Sequence, residues 1–334
     1  MRFGPVPLAE AEGAILAHSE VAGALRLRKG LVLSASDLAA LAKAGYSEVT
    51  VARIEPGDVT EDAAAERLAL ALVPNEQAAG LARSEAFTGR VNLKASRPGL
   101  FDLDVAAIHA LNRLDPAITL ATLPPLTRVA PGALCGTVKI ITYGVAGAAL
   151  AQAEALAARA LQVRPVTLRT AGLLLTDVPG QEEKLVAKGR RAIETRLLAL
   201  GMRLSACETT PHDEGAMAAA LARMPGDMLL ILTGSATSDL HDTAPQALRR
   251  AGGQVARFGM PVDPGNLLFH GALQGRPVIG LPGCARSPAL NGADWVLERM
   301  ACGLALDDDE IAAMGVGGLL KEIPSRPQPR ERDV

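Results

Sequence analysis

From residue 170 onward the chain repeats one pattern. A short aliphatic run is followed by a loop of Gly, Ser, Thr, Pro or Asp, and then by a stretch long enough for a helix. Leu173-Leu174-Leu175, Met228 to Leu232 and Val278 to Leu281 are the aliphatic runs. Such a run has no polar face, so a strand made from it must be covered on both sides. Covered strands that alternate with helices predict an α/β domain with a doubly wound, mostly parallel sheet. The spacing places helices over Glu182 to Leu200, stopped by Gly201, and over Thr243 to Ala251. Leu185, Ile193, Leu197 and Leu200 share the buried stripe of the first. Arg203 to Cys207 and Val255 to Phe258 read as further strands, and a hairpin turns near Gly275. Ser287 followed by Pro288 reads as the cap and first residue of a last helix.

The first half has a different texture. Leu8 to His18 reads as a helix, and residues 24–33 as a hairpin. Ser36 reads as the cap of a helix over Asp37 to Ala44, and Glu48 to Ile54 as a strand. Thr60 opens a helix whose first turn carries Glu61 and Asp62, where acids suit the dipole, and Pro74 closes it. Residues 87–93, 117–123 and 136–142 read as strands, 104–114 and 146–161 as helices. The chain of 334 residues is long enough for two cores. The expected division is a mixed α+β region over 1–165, the α/β domain over 166–303, and a tail or linker over 304–334. That tail is acidic, then Gly-rich, then Pro- and Arg-rich, and reads as disordered.

Several classes are disfavoured. With 34 basic and 36 acidic residues the net charge is -2, so no strong field draws nucleic acid or an anionic membrane. Cys135, Cys207, Cys284 and Cys302 form no Cys-x-x-Cys pair, which argues against structural zinc or a disulfide framework. The N-terminus carries acids where a signal peptide needs an apolar run, and no apolar stretch reaches spanning length. The cytoplasm is the expected location.

In a doubly wound sheet ligands sit beyond the carboxyl ends of the strands. Three loops there carry unusual residues. The first is TGSATSDLHD, residues 233–242. Gly234 lets the backbone approach a ligand, Ser235, Thr237 and Ser238 offer hydroxyls, and backbone amides from Thr233 through Ala236 to Ser238 favour an anion. An ordinary strand-to-helix turn capped by Asp242 is the alternative there. The second is LPGCARS, residues 281–287, where Pro282-Gly283 turns sharply, Cys284 is a passive thiol and Arg286 reaches towards an anion. Its alternative is a well-capped helix. The third is TDVPGQ, residues 176–181, with Asp177 at a strand end and Asp213 at a neighbouring one. Asp177, Asp213 and Asp242 around a phosphate would require a divalent cation, and Mg2+ suits carboxylate and phosphate oxygens. Each acid alone is otherwise a helix cap or a solvated turn residue.

The first loop, with its continuation Thr243-Ala244-Pro245, resembles the signature of the molybdenum-cofactor biosynthesis domain, Thr-Gly-Gly-Thr/Ser-Gly with an Asp at the tenth position. Thr233, Gly234, Asp242 and Pro245 fall on matching positions, and Ser235 replaces the second Gly. Residues 263–287 resemble the molybdopterin molybdotransferase pattern Lys-Pro-Gly-Lys-Pro followed by Gly-Leu-Pro-Gly-Asn-Pro-x-Ser. Pro264, Gly265, Gly280, Leu281, Pro282, Gly283 and Ser287 match, while Asp263 and Asn266 stand where that family has lysines. Asp213 and Asp177 match its Pro-Asp-Asp/Glu and Thr-Gly-Asp elements. The resemblance covers residues 170–300, with weaker likeness near the N-terminus. The family's small C-terminal β domain is not found, and the layout is similar to modules that precede a cytidylyltransferase-like domain.

The resemblance implies binding of molybdopterin or adenylylated molybdopterin through Thr233, Gly234, Ser235, Ala236, Thr237, Ser238, Pro282, Gly283, Cys284, Arg286 and Ser287. It implies Mg2+ at Asp177 and Asp242, with Asp242 and Asp213 serving Mg-dependent molybdate insertion and AMP release. The alternative is a non-catalytic carrier that hands cofactor to a cytidylyltransferase or molybdoenzyme; the lost lysines fit that reading. A degenerate scaffold that binds nothing ranks last. A homodimer is implied by the relatives.

Overall fold

A computed structural model describes residues 1–178 and 183–320. The expected loop residues Pro179, Gly180 and Gln181, and the chain after Leu320, lie outside the described residues. The chain is a mixed α/β protein with several sheets, most of whose pairings are antiparallel. It divides into two compact units, one of residues 1–97 and 101–164, the other of residues 98–100 and 165–334.

In the first unit an antiparallel sheet orders the strands Ile118–Thr122, Leu134–Ile140, Arg90–Ala95 and Leu81–Arg83. Helices Glu61–Leu72, Val105–Leu114 and Gly147–Ala157 contribute Leu68, Leu72, Leu111 and Leu150 to the same core as Val91, Leu93 and Val138 of that sheet. A smaller core gathers Leu16, Leu33, Leu41, Val49 and Val51 around the sheet of Arg2–Pro7, Glu48–Arg53 and Ile15–Leu16.

Three local expectations fail here. Leu8 to His18 is not a helix but a 3-10 turn, Leu8–Glu10, followed by the strand Ile15–Leu16. Gly13 between them has φ of 72°, a left-handed conformation that no helix continues through. The hairpin is formed by Glu20–Ala22 and Leu25–Leu27 and turns at Gly23, upstream of the predicted turn. The following helix, Ala35–Lys43, is capped by Ser34 and not Ser36, because Ser34 and Asp37 exchange bonds in a capping box.

The second unit is built on one six-stranded sheet. Its elements are β1 (Thr170–Asp177), α1 (Glu183–Ala199), β2 (Arg203–Pro211), α2 (Glu214–Arg223), β3 (Met228–Leu232), α3 (Thr243–Arg250), β4 (Gln254–Phe258), β5 (Phe269–Leu273), β6 (Arg276–Gly280), α4 (Gly292–Ala301) and α5 (Asp308–Ala313). The order is β2-β1-β3-β6-β5-β4. Strands β2, β1, β3 and β6 run parallel, whereas β5 and β4 add an antiparallel edge. The sheet is therefore mixed. Its two faces sort the aliphatic runs by parity. Leu173, Leu175, Leu230 and Ile279 pack with Ile193, Leu197 and Val296 of α1 and α4. Leu174, Leu229, Ile231 and Val278 pack with Met217, Leu221 and Leu248 of α2 and α3. Leu185, expected on the buried stripe of α1, is exposed.

Two differences bear on the site. Helix α4 begins at Gly292, and its cap is Asn291, which with Asp294 forms a buried capping box. Ser287 is not the cap: the segment 287–291 stays irregular, with the carbonyls of Ser287 and Ala289 accepting from the Arg196 guanidinium. Past Ala301, where composition suggests disorder, α5 forms under an Asp307–Glu310 capping box and buries Ile311 and Met314 in the core.

Candidate anion site at the strand ends

Parallel pairing brings the carboxyl ends of β1, β3 and β6 side by side, and specific bonds fix their loops. The buried Thr176 hydroxyl, at the end of β1, accepts the Gly234 amide at 2.8 Å. It also bonds His212 Nδ1 at 3.0 Å, and the His212 amide donates to the Asp177 carbonyl at 3.1 Å. The Leu281 amide donates to Ile231 O at 2.8 Å, and the Arg286 guanidinium donates to the Thr233 carbonyl. The turns after Leu175, Leu232 and Leu281 are thus neighbours.

The loop after β3 folds back on itself. Thr233 Oγ1 donates to the Ser235 carbonyl at 2.5 Å. Ser238 Oγ donates to Ala236 O at 3.3 Å, and the Ser238 amide donates to Asp242 Oδ2 at 2.9 Å. These bonds leave a run of three amides, from Ser235, Ala236 and Thr237, that donate to no acceptor among the described residues. Ser235 and Ala236 are exposed and Thr237 is buried. Consecutive N–H groups without acceptors are donors that an anion can satisfy.

Asp242 caps α3, with Oδ1 accepting the Thr243 amide at 2.7 Å. Burial alone pushes its carboxyl up, but the amides of Ser238 and Thr243 and the nearby His212 outweigh that and hold it below the usual carboxylate range. Asp213 caps α2 by accepting the Ala216 amide at 2.9 Å. Asp177 is exposed at the end of β1. Two of the three acids are therefore helix caps. Among the described residues no group of three His, Cys, Asp or Glu side chains is placed to hold a metal ion.

The loop after β6 makes a 3-10 turn over Gly283–Arg286, with Pro282 and Ala285 buried and Cys284 half-buried. Arg286 Nε is buried and has no hydrogen-bond partner among the described residues, and burial pushes the guanidinium pKa down. A buried unpaired donor costs desolvation energy that only an acceptor recovers. Glycine at 189 in α1 makes room for this packing. A Cβ there would lie 2.9 Å from Leu232 Cδ2 and 3.5 Å from Arg286 Cγ.

Sequence reasoning missed Arg196, which holds the whole second loop. From α1 its Nε meets Asp294 Oδ1 at 2.5 Å. Its Nη1 donates to Ala285 O at 2.8 Å, and Nη2 to Ser287 O at 2.8 Å and Ala289 O at 3.1 Å. This clamp explains the irregular segment 287–291. A glycine and an arginine inside a helix, seven residues apart and so on one face, were the available signal.

A family model described as a domain of unknown function, DUF8806, matches residues 5–53. No curated protein matches the chain. Similar solved structures include a molybdopterin biosynthesis MoeA protein from Pyrococcus horikosii, 13% identical, covering 90% of this chain and 75% of that one with a TM-score of 0.32. A molybdenum cofactor biosynthesis protein from Pyrococcus furiosus is 12% identical over 93% of this chain and 65% of its own length, with a TM-score of 0.23. Among the described residues no helix is long and apolar enough to cross a membrane.

Proposed function

We propose that residues 165–320 form a doubly wound molybdopterin-binding domain, and that the protein acts in molybdenum-cofactor biosynthesis by holding the phosphate-bearing end of molybdopterin or its adenylylated form. The observation that carries this reading is the run of unclaimed amides from Ser235 to Thr237, in a loop whose Thr233, Gly234, Asp242 and Pro245 match the family signature. Arg286 supports it, since a phosphate oxygen would satisfy its orphaned Nε. In this reading Asp242 and Asp177 would hold Mg2+, which would offset the charge of the bound phosphate, since carboxylate oxygens suit that ion.

Of the two ways such a site could be used, the carrier is favoured over the molybdate-inserting enzyme. Asp242 and Asp213, the residues on which catalysis would depend, both spend carboxylate oxygens on helix caps. Asp263 and Asn266 also replace two cations beside a dianion, a large electrostatic loss. The carrier would pass cofactor to a cytidylyltransferase or a molybdoenzyme, as a homodimer in the cytoplasm.

The test is to incubate the protein with adenylylated molybdopterin, Mg2+ and molybdate and follow both binding and AMP release. Retention without release supports the carrier. Release that disappears in Asp242→Asn supports the enzyme. Absence of binding overturns both.

A further inference from the structure

The first unit contains a cavity of about 590 Å3 lined by residues at the end of helix Glu61–Leu72, in the short helix Glu76–Ala79 and in the segment leading into strand Leu161–Pro165. Pro74, Ala78 and Ala79 supply its accessible apolar surface, backed by the buried Leu72 and Leu161. Asn75, Ala78, Arg159 and Gln162 make an exposed rim.

The walls are braced. Asn75 Oδ1 caps the short helix by accepting the Ala78 amide at 2.9 Å. At its other end Arg97 Nη2 donates to Ala78 O at 2.9 Å and to Val163 O at 2.8 Å, tying one wall to the other. Gly80 is required there, because a Cβ at that position would collide with the Arg97 guanidinium.

Arg159 is the informative residue. It sits at φ of 58°, in the left-handed region, with its amide bonded to Ala71 O at 3.0 Å. Glycine or asparagine adopts that conformation with less strain than arginine does. Among the described residues, the Arg159 side chain makes no hydrogen bond or ion pair. A strained backbone therefore presents an uncommitted cation at the mouth of an apolar pocket. The Asn75 amide nitrogen adds a donor on the same rim, its oxygen already spent on the cap.

We propose that this cavity is a second small-molecule site, separate from the strand-end loops, and that it takes an amphipathic carboxylate, with the carboxyl on Arg159 and the apolar body on Pro74, Ala78 and Ala79. Its volume suits a drug-sized organic molecule. The pairing of a single cation with an apolar floor selects against dianions such as phosphate and against neutral apolar compounds alike.

The test uses the intact protein and two probes of equal shape, 1-naphthoate and 1-naphthamide, with binding followed by calorimetry and ligand-observed NMR. The charge-assisted bond should make naphthoate bind at least about tenfold more tightly than naphthamide. Arg159→Gly should abolish that preference while raising the unfolding temperature, since it relieves the left-handed strain. Arg159→Lys should keep most of the preference, and Ala78→Trp, which fills the mouth, should weaken both probes. A structural role for Arg159 would instead lower the unfolding temperature in Arg159→Gly. Equal affinity for the two probes, an unchanged preference in Arg159→Gly, or no binding of either at millimolar concentration would overturn the proposal.

Discussion

Arg196→Met tests how the second anion loop is held. The arginine and Asp294 are each only 10% exposed in their side chains, so this is a buried ion pair. Removing one partner of such a pair costs about 3–5 kcal/mol, mostly by stranding the other charge. Asp294 retains the Asn291 amide at 2.8 Å, which places the loss near the lower end, about 3 kcal/mol. Water can replace the lost donor at the carbonyls of Ser287 and Ala289, which are partly exposed, but not at Ala285, which is fully buried. At roughly 2–4 °C per kcal/mol for a unit of this size, the unfolding transition of the second unit should fall by about 6–12 °C. Differential scanning calorimetry would measure it. The double variant Arg196→Met/Asp294→Asn should recover part of the loss, because the stranded charge is gone. Phosphate affinity should fall in the single variant by more than stability requires, as the loop after β6 loses its anchor. A transition within 2 °C of the parent (far below the ~6 °C floor), or a double variant less stable than the single, would refute the buried-pair reasoning.

Other expectations follow from single contacts. Thr176→Val keeps the shape but leaves the Gly234 amide without its acceptor, so it should cost about 1–3 kcal/mol in denaturant unfolding and weaken anion binding. Asp242→Asn should cost about 1–2 kcal/mol at neutral pH, since one of two amide donors then faces an NH2 group. The Asp242 carboxyl titrates below its ordinary value, so its stabilisation is present above that value and disappears as pH falls through the lowered one; the gap between parent and Asp242→Asn should close in acid. His270 shows the opposite case. Burial, then the Arg257 charge, pushes its pKa below 6.5, with Asp308 acting the other way. Protons then prefer the unfolded chain, so stability should decline as pH falls below about 6.5, and His270→Gln should flatten that slope. Gly189→Ala should fail to deliver the roughly 1 kcal/mol that alanine adds in an open helix, because its Cβ meets Leu232.

The parts of the fold that could be read from sequence were those set by local pattern. β3 and β6 announce themselves because a strand covered on both faces admits only aliphatic residues, as Met228–Leu232 shows. The loops after β3 and β6 were legible for the same reason: they interrupt such runs with glycine and hydroxyl residues. What failed was set by partners distant in sequence. Ser287-Pro288 has the local chemistry of a helix start, but Arg196, about ninety residues earlier, claims the surrounding carbonyls, and the buried Asn291 box starts the helix four residues later. Leu8 to His18 has helical spacing, but Ile15–Leu16 pairs with Glu48–Arg53 instead. α5 lay in a segment whose acidic run suggested a solvated tail; those acids cap a helix whose Ile311 and Met314 reach the core. Within the site, Thr176 was overlooked beside Asp177, since a threonine at a strand end has no pattern of its own until the Gly234 amide arrives.

The proposed function requires that the amides of Ser235, Ala236 and Thr237 receive a phosphate. Amide-resolved NMR during a titration with molybdopterin, repeated with inorganic phosphate, measures this most directly. Saturable shifts are expected at those three amides and at the Arg286 Nε–H, tighter for molybdopterin than for phosphate. Shifts confined to other residues, or none at saturating molybdopterin, would contradict it.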